Sequence, residues 1–548
     1  VARPMTGGET GAAESSPPPP HLASSDAGPV LPFAEIWVVD FEFRSELGGQ
    51  QEPVCMVAAE LNSGRSIRLW ADELSRLDRA PFDTGLGSVM VAYFASAELA
   101  CFEALGWPHP KNTIDLFVEH RCATNGLWEP HGRSLIGALR WHRLDHMAIE
   151  EKQEMRELIL SGGPWTPLER NAILDYCASD VQATVALLQA MAPEICVSHL
   201  RLGHAVLRGR YMGAAAAMEH RGLPIDSEML AALQDRWDDI RDRLIADVDK
   251  DFGVYEGRTF KMDRFESFLE RKGIAWPRLA SGRLALDDDT FRSRARVFPS
   301  VARLRELRQA LSQMNLNAIA VGPDGRNRTL LSPFRSKTGR NQPSNSQFIF
   351  GTSSWMRGLI KPAEGMAIAY LDFSAQEIAI AAALSGDEAL WHAYESGDPY
   401  LAFAIAAKLA PADASKATHR SIRNSCKAAV LGVQYGMTAE GMAQQYSLHV
   451  VEARALVQLH REIYRRFWQW AESNVDQALL GATLTTPFGW QYRQGRRTEA
   501  NPRSLLNWPM QAAGSDMLRL ACIKAREFGI RLCAPVHDAV VILSLIHI

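Results

Sequence analysis

The stretch Ala369-Tyr370-Leu371-Asp372-Phe373-Ser374-Ala375-Gln376-Glu377, continued by Ile378 to Asp387, decides how the chain is read. An apolar run reaches a single acid, small residues follow, and a second acid stands five positions on. The Ala/Ile-rich pattern of a buried helix comes next. That order spells strand, carboxylate, turn, helix. A carboxylate at the end of a buried strand is costly to desolvate unless it is paired or binds a cation. Ala534-Pro535-Val536-His537-Asp538-Ala539-Val540-Val541-Ile542 repeats the theme, with an acid between two β-branched runs, as at a hairpin turn. If the two strands are neighbours, Asp372 and Asp538 can share hard metal ions.

With 548 residues the chain is too long for one core, and roughly two to four domains are expected. The formal net charge of −4 does not advertise a nucleic-acid binder, but the average hides basic stripes. Arg326, Arg328, Arg335, Lys337 and Arg340 crowd one segment, Arg420, Arg423 and Lys427 a second, Arg493, Arg496 and Arg497 a third. Clusters so poor in acid, flanking the carboxylate strands, suit phosphate contacts. The eight cysteines show no CxxC or metal-ligand spacing and read as reduced, mostly buried thiols of a cytosolic protein. No long uncharged apolar stretch or signal-peptide core is present, so neither a membrane nor secretion is expected. Residues 1–33 are Pro/Gly/Ser-rich and read as a disordered leader.

Within residues 34–195, Ile36-Trp37-Val38-Val39-Asp40-Phe41-Glu42-Phe43 is a buried strand ending in Asp-x-Glu. Val54 to Leu61, Ser66 to Trp70 and Val89 to Tyr93 read as further strands, and Ala97-Glu98-Leu99 as a helix start. Ile173 to Val181 begins a helix whose Tyr176 and Asp180, four apart, share one face. Four carboxylates and a tyrosine can bind two divalent ions and orient a water for attack on a phosphodiester. This set resembles the 3′–5′ proofreading exonuclease domain of the DEDD superfamily, in its tyrosine-bearing version. The resemblance implies a mixed sheet flanked by helices, like ribonuclease H, with Asp40, Glu42, Glu98 and Asp180 on metal and Tyr176 positioning the water. Glu98 stands where that superfamily has Asp, and Asp115 is the substitute candidate; it reads equally as a capping acid near a helix start. Lys152 and Arg156, one turn apart, read as surface charge or as contacts to a single strand.

Residues 196–335 connect the two ends. Gly203 to Gly222 reads as a helix with a Gly cap, then Pro224 and a new N-cap at Asp226. This junction resembles the entry to the polymerase part of family A DNA polymerases. Ser227 to Phe252 and Val301 to Ile319 are long amphipathic segments, read as thumb helices or as a plain helical packing domain.

In residues 336–548, Thr338-Gly339-Arg340 precedes Asn345-Ser346-Gln347. The same family carries a Thr-Gly-Arg and then an Asn-x-Gln here, which implies Arg340 near the primer terminus and Asn345 and Gln347 in the minor groove. Asp372 to Glu377 is similar to the family's motif A; Glu377 would then crowd the sugar 2′ position, while on its own it reads as a first-turn acid favoured by the helix dipole. Arg423, Lys427, Leu431 and Tyr435, each four apart, form one helical stripe, cationic first and apolar-aromatic after. A nucleoside triphosphate has that same polarity. The run resembles motif B, with Leu431 where the family has Phe or Tyr. Asn507 and Gln511 match an Asn-x-x-x-Gln element, implied to contact the primer–template. Asp538 resembles motif C, preceded by His537, a DNA-contact candidate that also reads as a core histidine; Ala539 replaces the family's final acid. Family members continue beyond this point through a strand and a helix.

The fold class expected is therefore α/β and multidomain: a ribonuclease H-like exonuclease domain, then a right hand of thumb, palm and fingers. The resemblance implies template-directed addition of deoxynucleotides to a primer 3′ end, with proofreading. It implies two Mg²⁺ per active site, with Mn²⁺ as a substitute, and primer–template DNA and deoxynucleoside triphosphates as partners of a monomer. The departures have the style of a phage or prophage enzyme in a bacterial cytoplasm. Two other readings stay open: an exonuclease with a degenerate polymerase half, and a non-catalytic primer–template binding protein.

Overall fold

The computed structural model describes residues 30–145, 149–313, 319–446, 448–495 and 500–545. Most of the expected leader, with Arg496 and Arg497, lies outside them. Its last residues do not behave as a leader: Leu31 is fully buried in the first core and Phe33 packs against it.

A five-stranded sheet organises the N-terminal part. Its strands are β1 (Glu35–Arg44), β2 (Glu52–Glu60), β3 (Ser66–Trp70), β4 (Ser88–Ala92) and β5 (Thr113–Asp115), in the order β3-β2-β1-β4-β5. β2 runs antiparallel to β1 and β3, while β4 runs parallel to β1 and β5. A strand with partners on both sides must be apolar on both faces, which is why Ile36 to Val39 are all buried. Between β4 and β5 lies α1 (Ser96–Leu105); α2 (Leu116–Thr124) follows β5 directly. α3 (Ile149–Leu160) and α4 (Pro167–Ile195) come next. α4 begins two turns before Ile173, because Thr166 and Glu169 form a reciprocal capping box with Pro167 at the first helical position.

α5 (His199–Arg221) is an Ala-rich helix packed on α1 and β5, and it carries the chain into the second half. It ends at Gly222, and Asp226 caps the next helix by accepting from the Met229 N–H at 3.0 Å. The expected single helix from Ser227 is broken at Arg236, and its second part is α6 (Trp237–Asp249). α7 (Ala302–Gln313) covers the described part of the other amphipathic segment.

The second sheet has three strands. β6 (Met366–Asp372) is followed by α8 (Gln376–Ser385), α9 (Pro399–Ala406), α10 (Arg420–Gln434) and α11 (Pro502–Glu527). The hairpin of β7 (Arg531–Val536) and β8 (Ala539–Leu545) completes it, in the order β6-β8-β7, all antiparallel. The apolar run of β6 predicts a buried strand; instead Tyr370 is 49% and Leu371 53% exposed. Among the described residues β6 is an edge strand, which leaves its last residues open to solvent.

The apolar core does not stop between the halves. Trp37, Phe41 and Phe102 of the N-terminal part belong to one buried cluster with Tyr211, Phe334, Trp490 and Trp508. A buried ion pair crosses the same seam: Arg208 on α5 gives Nε and Nη2 to the two Glu119 oxygens, both at 2.7 Å. Such a pair repays desolvation only when fully hydrogen-bonded, and this one is bidentate.

Candidate active sites

Asp372 and Asp538 meet at one end of the second sheet. Asp372 closes β6 and its register partner is Ala539, so Asp538 lies one residue along. The Phe373 N–H donates to the Asp538 carbonyl at 3.4 Å. The turn holds His537 at φ +54° and exposes it, which excludes the core-histidine reading. Arg340 donates from Nη2 to Asp538 Oδ1 at 2.9 Å and stands 3.7 Å from Glu377 Oε1. The Tyr435 hydroxyl donates to the same Glu377 oxygen at 2.9 Å. Burial raises the Glu377 pKa, while Tyr435 and Arg340 draw it down. Glu377 is thus no free surface acid, although it does sit in the first turn of α8. Two hard carboxylates, one exposed and one already facing a cation, form a donor set that suits Mg²⁺.

The motif-B-like stripe lies on α10, with Tyr435 as its C-cap and Leu431 half-buried. Its cations are not free. Arg423 Nε donates to Asp398 Oδ2, and Asp398 itself caps α9. Arg423 and Lys427 lie 5.3 and 5.5 Å from the Tyr400 ring centre. An acid and an aromatic face on α9 offset the repulsion between cations one turn apart on α10. Tyr400 escapes a reading of the sequence because nothing in Asp398-Pro399-Tyr400 marks it before α9 and α10 are seen to pack.

A cleft of about 680 Å³ runs beside this site. Arg340, Asn345, Gln347 and His537 line it, together with Tyr211 and Arg519. Asn507 is buried on α11 with Oδ1 unpartnered, and Gln511 is half-buried one turn on. The basic clusters divide. Arg328 makes a bidentate pair with Asp324 and donates to the His220 and Gly48 carbonyls; Arg326 donates to the Arg221 carbonyl. Arg328 is thus buried and spent inside the fold, and Arg326 is tied through Nη1 to the end of α5.

The N-terminal carboxylates are assembled differently. Asp40 and Glu42, two apart on β1, share a face. With Cys177 of α4 they place three ligand atoms within 4.8 Å of one another. The Cys177 thiol donates to Asp40 Oδ2 at 3.4 Å. Glu98, buried on α1, reaches the same strand and accepts from the Phe41 N–H at 2.7 Å, between Asp40 and Glu42. Asp180 pairs with Lys152 Nζ at 2.6 Å. Lys152 also lies 5.4 Å from the Tyr176 ring centre, so it is not plain surface charge.

Burial, with Asp180 adding, pushes the Asp40 pKa up to about 8. Burial and the Asp40 charge also raise the carboxyls of Glu42 and Glu98. Burial and Asp180 raise the Tyr176 phenol. Lys152 is one counter-charge for several crowded acids, and a divalent cation would supply more. The thiol adds a softer donor than the oxygens around it. Cys177 goes unmarked in the sequence although it follows Tyr176 directly; a lone cysteine carries no ligand spacing. Asp115 takes the other reading: it caps α2 and accepts four N–H groups, from Phe94, Ala95, Phe117 and Val118.

Residues 290–544 match the family model of DNA polymerase family A. Among curated relatives, the thermostable DNA polymerase I of Thermus aquaticus is 28% identical over 191 residues, 33% of this chain and 23% of that protein. DNA polymerase I of Chloroflexus aurantiacus is 24% identical over 352 residues, 59% of this chain and 37% of that protein. The chain therefore spans well under half the length of these relatives. In fold, it is similar to the POL domain of Pol1 from M. smegmatis, solved in complex with DNA primer-template and dNTP. The TM-score is 0.72 over 93% of this chain and 89% of that one, at 18% identity. Among the described residues no helix is long and apolar enough to cross a membrane.

Proposed function

We propose that this chain is a template-directed DNA polymerase that adds deoxynucleotides to a primer 3′ end, with a 3′–5′ proofreading exonuclease in its N-terminal part. The observation that carries the reading is the meeting of Asp372 and Asp538 beside Glu377, Tyr435 and Arg340. Asp372 and Asp538 would hold two Mg²⁺, which lower the pKa of the primer 3′-OH and neutralise the triphosphate.

The chain's own residues do the rest. Arg423 and Lys427 supply positive charge for the phosphates, and Arg423 must exchange Asp398 for them. Glu377, held by Tyr435, stands as a fixed wall against a ribose 2′-OH. Arg340, which faces Asp538, would turn to the primer terminus when Asp372 and Asp538 hold metal. Asn345, Gln347, Asn507, Gln511 and His537 present polar groups to the duplex. In the N-terminal part Asp40, Glu42, Glu98 and Asp180 are the proposed metal ligands, and Tyr176 orients the water.

One observation favours the exonuclease-only reading. Ala539, in register with Asp372, offers no carboxylate where the family pattern has its last acid. A primer-extension assay with Mg²⁺ and labelled deoxynucleotides separates the two. Extension that disappears in Asp372→Asn while degradation persists supports the two-site reading; a wild-type chain that only degrades overturns it.

A further inference from the structure

The segment Phe334 to Arg340 contains no helix or strand, yet it carries the arginine that faces Asp538. A loop holds a side chain in place only when its own backbone is pinned. Here the pins come from both halves of the molecule. Arg121, 1% exposed on α2, donates from Nη2 to three successive carbonyls: Phe334 at 3.4 Å, Arg335 at 3.0 Å and Ser336 at 3.4 Å. Asn125, fully buried just after α2, donates from Nδ2 to the Lys337 carbonyl at 2.7 Å and to that of Gln491 at 2.6 Å.

Trp490 and Trp508 give their indole N–H groups to the same Lys337 carbonyl, at 3.1 and 2.9 Å. Arg519 holds the Gly339 carbonyl at 2.8 Å. Gly339 suits glycine there: φ is +76°, and a Cβ would stand 3.2 Å from Arg519 Nη1. The approach of the halves is just as close at Gly126, where φ is +90° and a Cβ would lie 2.1 Å from the Arg493 carbonyl.

The two side chains from the N-terminal half are only partly satisfied. Arg121 Nε and Nη1 and Asn125 Oδ1 are buried without a hydrogen-bond partner. Apolar residues would fill this seam at lower cost. The hydrogen bonds of Arg121, and one of the two from Asn125 Nδ2, go to the backbone of the loop that presents Arg340.

We infer that Arg121 and Asn125 are positioning residues for the polymerase reaction, so the N-terminal domain sets the pose of Arg340 from behind. The inference rests on the polymerase reading above. The test uses the full chain with Asn125→Ala, Arg121→Met and Arg121→Lys. Expected is an approximately tenfold fall in kcat for extension in Asn125→Ala and Arg121→Met, with KM for the nucleotide changed less than about twofold. Arg121→Lys, which keeps one donor, recovers part of the loss.

In an Arg340→Ala background Asn125→Ala should add nothing, because both changes break one chain of contacts. An undiminished kcat, or equal loss in both backgrounds, overturns the inference. Hydrogen exchange reads the loop without relying on activity. The N–H groups of Ser336 and Gly339, bonded within the loop, should exchange about tenfold faster in Asn125→Ala. If the wild-type chain does not extend primers, the polymerase reading fails and exchange alone decides; unchanged exchange overturns the pinning itself. Should Asn125→Ala not fold, Arg121→Met carries the same comparison.

Discussion

Asp40, within a central strand, and Asp372, at the end of an edge strand, each stand beside a second acid, and their surroundings differ. Asp40 and Glu42 sit under α4 and α1, close to Glu98, Asp180 and a thiol, and burial raises their pKa values. Asp372 is exposed on an edge strand, and its neighbour Asp538 is met by a guanidinium. The N-terminal site combines raised carboxyl pKa values with one lysine, the other solvent with one arginine. Burial crowds the acids of the first site, while at the exposed site an arginine faces the carboxylate. On the proposed function, the first would take one strand end and the second a duplex and a nucleotide together.

The largest effect expected from breaking this comparison is at the exposed pair. Asp372→Asn should lower primer extension on the order of 10³-fold or more, since metal-held charge stabilisation is worth several kcal/mol. Asp40→Ala with Glu42→Ala should abolish degradation of a single strand and leave extension within about twofold. Degradation that survives the double change removes the N-terminal assignment.

Glu219 isolates burial from crowding. It lies on α5, fully desolvated, and accepts from the Leu331 N–H at 2.7 Å; burial raises its pKa to about 8. The folded chain then binds more protons than the unfolded one between pH 4.5 and about 8, so stability falls as pH rises through that window. Glu219→Gln keeps an acceptor for Leu331 and removes the titration. Above pH 8 it should be more stable than the wild type by a few kcal/mol, with the gap opening by roughly 1.4 kcal/mol for each pH step of one across the window. Below pH 4.5 the two should not differ. Melting curves across this range check the sign.

Asp115 sharpens the boundary of the buried site. Asp115→Ala should cost about 2–4 kcal/mol by removing a cap and several buried hydrogen bonds. Degradation, measured well below the melting temperature, should stay within about threefold, as for a residue off the metal. The smallest effect lies at Glu377: Glu377→Ala should relax discrimination against ribonucleotides about tenfold while deoxynucleotide extension persists. Competition between matched deoxy and ribo substrates reads that ratio.

Much of this architecture is legible in the chain before any coordinates. Asp372 and Asp538 are marked by the apolar runs around them, and Asp40 and Glu42 by their shared strand. Arg423, Lys427, Leu431 and Tyr435 are set on one face by a spacing of four. These are local signals, because strand alternation and helical period follow from backbone geometry alone. What escapes is non-local. Tyr400 beneath two cations, Lys152 on Asp180 and Cys177 on Asp40 join elements that no period relates. Arg326 and Arg328 look like phosphate contacts because composition reports charge and not partners. The two readings of Asp115 stay equal until β4, β5 and α2 are seen to converge on it.

The sequence by itself thus determined the elements, the chemistry each carries and their order, since those depend on residue type and short-range periodicity. Only the tertiary structure decided which charges face each other, which acids are buried and which loop is pinned from across the molecule. Pairing and desolvation depend on distance in space, and a linear spacing does not contain it.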